Sequence, residues 1–295
     1  MTTITRFAPS PTGRLHAGHA VSALLAHDRA READGRFLLR IEDIDPGRAR
    51  AEHIDGIVAD LAWLGVEPDG PVVRQSERLP LYAAALDRLR AMDVLYPCFC
   101  TRAAIAAEIA GSASAPHGRS GVLYPGTCRR LGPEERTQRI AQEAHAWRID
   151  ITAALARLGA APLRFHDAHA GWVDADPAAH GDVVLARKDA PVSYHLAVTV
   201  DDAAQGVTLV TRGVDLVHAT DIHRLLQALL DLPVPAHEHH AMLLDPDGRP
   251  LAKRNGAAAL ADLRAGGVDG RAYANTIRAA RAALDSGART PTSGS

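Results

Sequence analysis

Apolar and polar positions along the chain follow two different periods, and their order predicts an α/β fold. The apolar runs at residues 4–8 and 36–43 are short enough for buried strands, and each precedes a segment with helical spacing. The first of these segments places Val21, Leu24 and Leu25 on one face and stops at Gly35. Because strands that alternate with helices form parallel sheets, the pattern predicts a parallel α/β sheet.

This pattern is interrupted once, which divides the chain into several predicted units. Residues 79–93 form another predicted helix, whereas residues 96–165 carry cysteines, glycines and a Gly/Ser/Ala-rich stretch. A β pattern resumes over residues 181–213, which include the run YHLAVTVDD, and a helix is predicted over residues 221–232. We therefore predict one sheet domain in two halves, residues 1–95 and 166–240, which are separated by an insertion at residues 96–165. A C-terminal helical segment at residues 241–285 and a disordered tail at residues 286–295 follow.

Two segments rich in histidine are predicted to be structural. The segment RFHDAHAGWV, residues 164–173, predicts a hairpin. The segment HEHHAMLL, which contains His237, His239 and His240, predicts a loop that enters a strand. We do not predict a metal site there, because thiol and carboxylate partners at a suitable spacing are lacking.

Composition and charge restrict the classes of partner and location. The 295 residues carry a formal net charge of −2, so attraction of a nucleic acid would depend on local basic patches. The N-terminus lacks a basic flank followed by an apolar stretch, and no run approaches the ~18 apolar residues that span a bilayer. We therefore expect a cytoplasmic protein without membrane association. Nearly all cationic residues are arginines, and the only lysines are Lys188 and Lys253.

The stretch RFAPSPTGRLHAGHA, residues 6–20, joins the first predicted strand to the first predicted helix. The N-terminus of a helix exposes unpaired N–H groups and attracts phosphate. Gly18 lets a flat ring or a phosphate approach the backbone, and His16 and His19 can donate hydrogen bonds to phosphoryl oxygens. The alternative is a Pro/Gly turn with two surface histidines, and the motif alone does not decide between these interpretations.

All three cysteines flank one segment of the predicted insertion. An odd number of cysteines in a chain without an export signal favours free thiols or a metal over disulfides. The pair Cys98 and Cys100, with the distant Cys128, fits three of the four ligands of a structural Zn²⁺ site. His117 is the ordinary chemical candidate for the fourth ligand. The alternative is three buried free thiols.

Two short motifs far apart in the chain carry a resemblance to a known family. HAGH at residues 16–19 resembles the HIGH signature of the class I aminoacyl-tRNA synthetases, and PLAKR at residues 250–254 resembles their KMSKS loop. The strings RFAPSPTGRLHAGH, LRIEDID, YHLAVTVDD and LVTRGVDL, in this order, are similar to the glutamyl branch of that family. The resemblance implies a Rossmann-like parallel sheet split by a zinc-binding insertion, and an ATP-dependent ligase.

Length favours a truncated paralogue within that branch. Only 41 residues follow Arg254, too few for the helical anticodon-binding domain of the glutamyl-tRNA synthetases. The chain thus resembles the glutamyl-queuosine tRNA(Asp) synthetases, which implies activation of L-glutamate by ATP and its transfer to queuosine in the anticodon loop of tRNA(Asp). We expect a monomer, because no unmatched apolar helix suggests an interface.

Three alternative functions stay open at this point. One is glutamylation of the acceptor end of a tRNA. Another is a nucleotidyltransferase of the H-x-G-H superfamily, which would act on a small phosphorylated substrate. The third is a zinc-bearing RNA-binding module that has lost catalysis.

The resemblance also implies the residues that hold glutamate. Glutamate carries two carboxylates and one ammonium group. Its pocket therefore needs a guanidinium, an acidic partner and a planar side chain that can form hydrogen bonds. By the resemblance, Arg6 reads the side-chain carboxylate, Glu42 faces the ammonium and Tyr194 closes the pocket. The implied glutamate-binding set is Arg6, Phe7, Ala8, Pro9, Ser10, Glu42, Tyr194 and Arg212.

The remaining implied sites concern ATP and metal ions. The implied ATP-binding set is His16, Gly18, His19 and Lys253, of which His16, His19 and Lys253 are the implied catalytic residues. Mg²⁺ would accompany ATP as the counterion of its phosphates. The family pattern implies one structural Zn²⁺ per chain, with Tyr124 as its fourth ligand, on Cys98, Cys100, Tyr124 and Cys128.

The second signature departs from the family pattern at two positions. Pro250 stands where the family has its first lysine, and Ala252 stands where it has a serine. One positive charge is therefore missing. We expect Lys253 to carry more of the pyrophosphate stabilisation, aided by Arg249 or Arg254, with slower activation or an altered loop geometry as the consequence.

Overall fold

The computed structural model describes residues 2–110, 117–118, 121–243 and 258–287. Its strands are β1 (Ile4–Phe7), β2 (Arg36–Ile41), β3 (Val73–Arg74), β4 (Leu95–Cys98), β5 (His117–Gly118), β6 (Gly121–Val122), β7 (Ala146–Ile149), β8 (Arg164–Asp167), β9 (Gly171–Asp174), β10 (Val184–Ala186), β11 (Leu209–Gly213) and β12 (Ala236–His240). Its helices are α1 (Ala17–Glu32), α2 (Ala51–Trp63), α3 (Leu79–Ala91), α4 (Arg102–Ala110), α5 (Pro133–Gln142), α6 (Ile151–Leu158), α7 (Tyr194–Ala204), α8 (Ala219–Leu230), α9 (Leu260–Ala265) and α10 (Gly270–Gly287). Among the described helices, none combines the length and the hydropathy that a membrane span requires.

The central sheet is parallel, as the order of strands and helices predicts. β1 pairs with β2 and β2 with β3, both in parallel. β11 pairs with β12 and β12 with β8, again in parallel, while β9 completes the predicted hairpin as an antiparallel edge. The starts of β1 and β11 lie side by side, because the Thr208 N–H donates to the Ile4 carbonyl oxygen at 2.9 Å. The predicted α/β class is confirmed.

Helix α1 packs against the first strands of this sheet. Its buried residues, among them Val21 and Leu24, share a core with β1, β2, α2 and α10. The turn from α1 into β2 requires Gly35, because a Cβ atom there would overlap the carbonyl oxygen of Thr3. The predicted helix is confirmed, and it ends at Glu32, three residues before this glycine.

The β pattern predicted over residues 181–213 is wrong in its middle. β10 and β11 are strands, but the run YHLAVTVDD forms helix α7. All residues from Leu196 to Asp202 are buried, so α7 lacks the polar face by which a helix is recognised from sequence. The local β preference of its valines and threonine is overridden by packing against α3 and α8.

The histidine-rich segment that was predicted as a loop is a buried strand, β12. It lies between β11 and β8, and His237, His239 and His240 are all buried. Polar side chains are tolerated in the interior when they are hydrogen-bonded. His239 Nδ1 lies 2.7 Å from Asp167 Oδ2, and His240 Nε2 lies 2.8 Å from Ser22 Oγ on α1.

A second, antiparallel sheet is formed by β4, β7 and β10. β10 lies in the predicted second half of the sheet domain, yet it pairs with β7 of the predicted insertion. The proposed domain boundaries stay predictions. Helix α10 continues to Gly287, so the predicted tail is helical at its start, and residues 288–295 lie outside the described residues.

A buried group of charges joins strands β1 and β2 to helix α7. Asp202 of α7 accepts a hydrogen bond from Arg6 Nε of β1 at 3.0 Å and from Arg40 Nη1 of β2 at 2.8 Å. Arg40 is fully buried. The adjacent Asp201 faces α3 and the turn before it, where it accepts hydrogen bonds from Gln75, Arg78 and Tyr82. Asp201 also lies 3.7 Å from Arg40 Nε, so both aspartates contribute to the charge balance of Arg40.

Replacing Asp202 by alanine leaves Arg6 and Arg40 without their shared carboxylate. Removal of one partner from a buried ion pair typically costs about 3–5 kcal/mol. We expect Asp202→Ala to lower the free energy of unfolding by an amount of this order in urea denaturation. The control is Asp174→Ala, because Asp174 pairs with Arg164 on the exposed surface and its loss should cost less than about 1 kcal/mol. Equal losses in the two variants would contradict the prediction.

Candidate active site

The loop after β1 is tied to the segments that follow β2. The Pro9 carbonyl oxygen accepts a hydrogen bond from the Glu42 N–H at 3.0 Å, and the Pro11 carbonyl oxygen accepts one from the Arg50 N–H at 3.1 Å. Both prolines are buried, whereas Ser10 between them is exposed. The loop is therefore a fixed surface at the ends of β1 and β2.

The two histidines of HAGH cap helix α1 reciprocally. His16 is the N-cap residue, and its Nδ1 accepts a hydrogen bond from the Gly18 N–H at 3.1 Å. His19 Nδ1 accepts one from the His16 N–H at 3.2 Å, which completes a capping box made of imidazoles. The backbone N–H of Gly18, one of the groups that we expected to be unpaired at the start of the helix, is thus hydrogen-bonded. The donors that the two rings offer to a ligand are their Nε2–H groups.

Both of these rings are neutral at pH 7. Burial lowers the pKa of His16, and burial with the neighbouring His16 lowers the pKa of His19 to about 4. The ring centroids lie 3.9 Å apart. The pair can therefore donate hydrogen bonds through Nε2 without contributing a positive charge.

The chain that follows the second motif lies against this capped loop. Ala259 forms a β-bridge with His16, and the Leu260 N–H donates to the Leu15 carbonyl oxygen at 2.9 Å. Residues 244–257, which include Lys253, lie outside the described residues. The described residues thus bring the first motif into contact with the segment just beyond the second.

A cavity of about 270 Å³ opens beside the ends of β1 and β2. Three residues of the predicted glutamate set, Ser10, Glu42 and Tyr194, line it. Sequence reasoning missed the other polar residues of the lining, which are Thr12, Asp45, Arg48, Gln75, Arg187 and Ser193. Asp45 ends the quoted string LRIEDID and Ser193 precedes Tyr194, so proximity to these motifs was an available signal. Arg187 is not adjacent to any of these motifs, so this criterion would not have identified it as part of the cavity lining.

The other predicted glutamate-binding residues lie in β1, in the loop after it and in β11. Phe7 is part of the core, and Ala8 and Pro9 belong to the loop after it. Arg6 and Arg212 are buried, with 4% and 5% of their surface exposed, in β1 and β11. Tyr194 begins helix α7, although the run that it starts was expected to be β structure.

Glu42 is a buried carboxyl group that titrates near neutrality. Its side chain is 7% exposed, and burial raises its pKa to about 7, although Arg40 and Arg6 oppose this shift. The distance from Glu42 Oε1 to Arg40 Nη2 is 3.6 Å, too long for a hydrogen bond. The carboxylate is therefore able to accept hydrogen bonds from an ammonium group.

Arg212 is a buried cation whose hydrogen-bond partners are all uncharged. It donates to His239 Nε2 at 3.1 Å and to the Tyr194 hydroxyl at 3.3 Å, and it also contacts His223 and Thr220. Among the described residues, no carboxylate forms an ion pair with Arg212, whereas Arg6 has Asp202. A buried charge without a counter-ion is unfavourable, so this site is suited to an anionic ligand.

The three cysteines lie together with Tyr124. The Sγ atoms of Cys98, Cys100 and Cys128 are all within 4.8 Å of one another. The Tyr124 hydroxyl lies 3.5 Å from the Sγ atoms of Cys98 and Cys100 and accepts a hydrogen bond from the Cys128 N–H at 2.9 Å. This donor set could hold a metal ion. The side chain of His117 lies outside what the structure describes.

Comparison with known proteins identifies the family. Residues 2–280 match the family model of the class I tRNA synthetases for glutamate and glutamine, catalytic domain. The glutamyl-Q tRNA(Asp) synthetase of Rhodobacter capsulatus is 51% identical over 275 residues, which are 90% of this chain and 96% of that protein. The chain belongs to this family of class I synthetases. Its relative from Symbiobacterium thermophilum, also a glutamyl-Q tRNA(Asp) synthetase, is 49% identical over 274 residues, or 89% of this chain and 81% of that protein.

Solved structures of two synthetases share the fold. The glutamate-tRNA synthetase of Elizabethkingia anophelis superposes with a TM-score of 0.74 at 28% identity, over 87% of this chain and 53% of that one. The glutamate tRNA ligase of Elizabethkingia meningosepticum, in complex with its amino acid, superposes with a TM-score of 0.73 at 28% identity, over the same shares of the two chains. The chain thus spans about half the length of these two proteins. Family membership makes it a ligase, as the quoted motifs predicted.

Proposed function

We propose that this ligase activates L-glutamate with ATP and transfers it to queuosine in the anticodon loop of tRNA(Asp). The observation that carries the proposal is the buried Arg212, whose hydrogen-bond partners are uncharged and include the cavity-lining Tyr194. A ligand carboxylate would supply the missing counter-charge, and Glu42 in the same cavity would take an ammonium. The names of the relatives support tRNA(Asp) as the acceptor.

We assign the side-chain carboxylate of glutamate first to Arg212, whereas the resemblance implied Arg6 for this role. Arg6 is the second donor, because Asp202 already balances its charge. Glutamine presents an uncharged amide at the same place and would leave Arg212 without a counter-ion. The pocket therefore favours glutamate over glutamine by the electrostatic difference between these two groups.

In the activation step, an oxygen of the glutamate α-carboxylate attacks the α-phosphorus of ATP. The bond to the leaving pyrophosphate breaks, and glutamyl-adenylate forms. No covalent enzyme intermediate is needed, so the protein positions the reactants and balances charge. The Nε2–H groups of His16 and His19 are the proposed phosphate donors, and Mg²⁺ would accompany the phosphates as their counter-ion.

Lys253 is the proposed cation for the leaving pyrophosphate. Support comes from the described flank: Ala259, six residues further along the chain, pairs with His16. A span of six residues reaches at most about 20 Å, so the proposed role is compatible with the length of chain between the two positions.

In the transfer step, a hydroxyl group of the queuosine cyclopentene ring attacks the carbonyl carbon of glutamyl-adenylate. An ester forms, and AMP leaves. ATP, glutamate and tRNA meet in the cytoplasm, which is the proposed location. The expectation of a monomer stays a prediction.

The first test is pyrophosphate exchange into ATP without tRNA, followed by transfer of labelled glutamate. We expect exchange with glutamate and not with glutamine or aspartate, and label on tRNA(Asp) that contains queuosine. tRNA(Asp) without queuosine and tRNA(Glu) should remain unlabelled. Exchange that requires a small phosphorylated substrate in place of an amino acid would favour the nucleotidyltransferase, and label on tRNA(Glu) would favour acceptor-end glutamylation. Either result would contradict the proposal.

Two variants locate this activity in the proposed pocket. Arg212→Gln should lower glutamate-dependent exchange by about 100-fold, because the charged hydrogen bonds to the substrate are lost. Lys253→Ala should abolish exchange without a change in thermal stability. Exchange retained in Lys253→Ala would contradict the role given to that lysine.

The pKa of Glu42 predicts a pH dependence for glutamate binding. Only the carboxylate form attracts the substrate ammonium, and burial places this pKa at about 7. We therefore expect kcat/KM for glutamate to rise about tenfold per pH unit below 7 and to level off above it. The inflection should vanish in Glu42→Gln. A wild-type profile that is flat between pH 6 and 8 would contradict this assignment.

We also propose that the cysteine cluster holds one structural Zn²⁺. Three thiolates are soft ligands of the kind that zinc prefers, and the phenol oxygen of Tyr124 completes four donors. The bound ion would fix β4 to the turn that contains Cys128. It would have no part in the chemical steps.

Zinc content and zinc release test this site. We expect one zinc per chain in the purified protein and less than half of that in Cys128→Ser. Tyr124→Phe should release zinc to a chelator about tenfold faster or more. Tyr96→Phe is the matched control, because Tyr96 is a buried tyrosine of the same core cluster whose hydroxyl group binds Asp182. Equal release rates in the two tyrosine variants would exclude Tyr124 as a ligand.

A further inference from the structure

Three adjacent parallel strands place an aspartate, a histidine and an arginine in one buried row. In the register of the sheet, Arg212 of β11 faces His239 of β12, and Asp167 ends β8 on the other side of β12. The distance from Asp167 Oδ2 to His239 Nδ1 is 2.7 Å, and that from His239 Nε2 to Arg212 Nε is 3.1 Å. All three side chains are buried.

The direction of the hydrogen bonds in this row follows from the chemistry of the groups. A guanidinium only donates, so His239 Nε2 must accept from Arg212. The proton of the neutral ring is then on Nδ1, from which it is donated to Asp167. Asp167 also accepts hydrogen bonds from three backbone N–H groups. Those of His169 and Ala170 donate to Oδ1, and that of His239 donates to Oδ2.

We propose that Asp167 and His239 are positioning residues that aim Arg212 at the carboxylate of the amino-acid substrate. The inference rests on the proposed function, in which Arg212 binds that carboxylate. Asp167 fixes the tautomer and the ring plane of His239. His239 then holds Nε of Arg212, so that the two Nη groups face Tyr194 and Thr220.

The row orients the guanidinium without neutralising it directly. A carboxylate in contact with Arg212, as Asp202 is with Arg6, would compete with the carboxylate of the substrate. The imidazole of His239 separates the two charges and supplies only a lone pair to Arg212. Arg212 is therefore fixed in direction while its charge remains available to a ligand.

Asp167→Asn is the decisive substitution. The amide oxygen can still accept from the His169 and Ala170 N–H groups. The amide NH₂ group of the asparagine then donates to His239 Nδ1. This favours the tautomer of His239 that carries its proton on Nε2, and that proton faces the N–H group of Arg212. We expect KM for glutamate in pyrophosphate exchange to rise at least tenfold, with KM for ATP changed less than twofold.

Two further variants separate positioning from a loss of stability. His239→Gln keeps an acceptor for Arg212, so its KM for glutamate should rise less than that of His239→Leu. His240→Gln is the matched control on the opposite face of β12, where His240 meets Ser22. It should lower stability without changing KM for glutamate.

A direct measurement keeps the proposal testable if Asp167→Asn does not fold. Nitrogen NMR of the wild-type protein should show His239 as the Nδ1–H tautomer, and a proton on Nε2 would overturn the proposal. Equal rises of KM for glutamate and for ATP in Asp167→Asn, or no rise at all, would also overturn it. If the wild-type protein shows no glutamate-dependent exchange, the proposed function fails first.

Discussion

The carboxylate of Asp202 is the interaction on which the arrangement of the site depends. It accepts hydrogen bonds from β1 and β2 although it belongs to α7, so one side chain joins segments about 160 and 200 positions apart in the sequence. Because Asp202 faces both Arg6 and Arg40, these buried cations have a counter-charge in the protein itself. Arg212, the third buried arginine near the cavity, has none among the described residues. Because of this unequal distribution of counter-charges, our proposal assigns the ligand carboxylate first to one arginine and not to all three.

The hydrogen-bond partners of Arg212 are neutral imidazoles and hydroxyl groups. Burial lowers the pKa values of His195, His223, His237 and His239, and the charge of Arg212 lowers each of them further. Imidazole lone pairs satisfy the N–H groups of a guanidinium without cancelling its charge. The folded protein thus tolerates an unfavourable buried charge at this one place, and a bound carboxylate would relieve it. Local instability of this kind is expected at a ligand site and would be a defect elsewhere in the core.

The sequence predicted those features that depend on local pattern and failed where tertiary packing decides. The alternation of strands and helices, the hairpin at residues 164–173 and the cysteine cluster follow from spacing alone. Helix α7 did not, because it is buried on every side and its valines favour strands locally. Strand β12 did not, because its histidines look polar in sequence, whereas in the folded protein they are buried, and His239 and His240 are hydrogen-bonded. The contacts of Asp167 were equally hidden, since the register of β8 against β12 brings residues 167 and 239 together across some 70 positions.

The two histidines of the first motif show how one residue type meets a structural and a chemical demand at once. An asparagine at position 16 would accept the hydrogen bond from the Gly18 N–H as well as a histidine does, since it is a good N-cap residue. Its amide NH₂ group, on the same carbon atom as the capping oxygen, does not reach as far from the backbone as the Nε2–H group of a histidine. Histidine uses Nδ1 to close the helix and leaves Nε2–H on the opposite edge of the ring, held in a fixed direction by the cap. Because burial keeps both rings neutral, each retains the Nδ1 lone pair that the cap requires, and protonation would destroy the cap. The cap is therefore the means by which the loop orients its two Nε2–H donors.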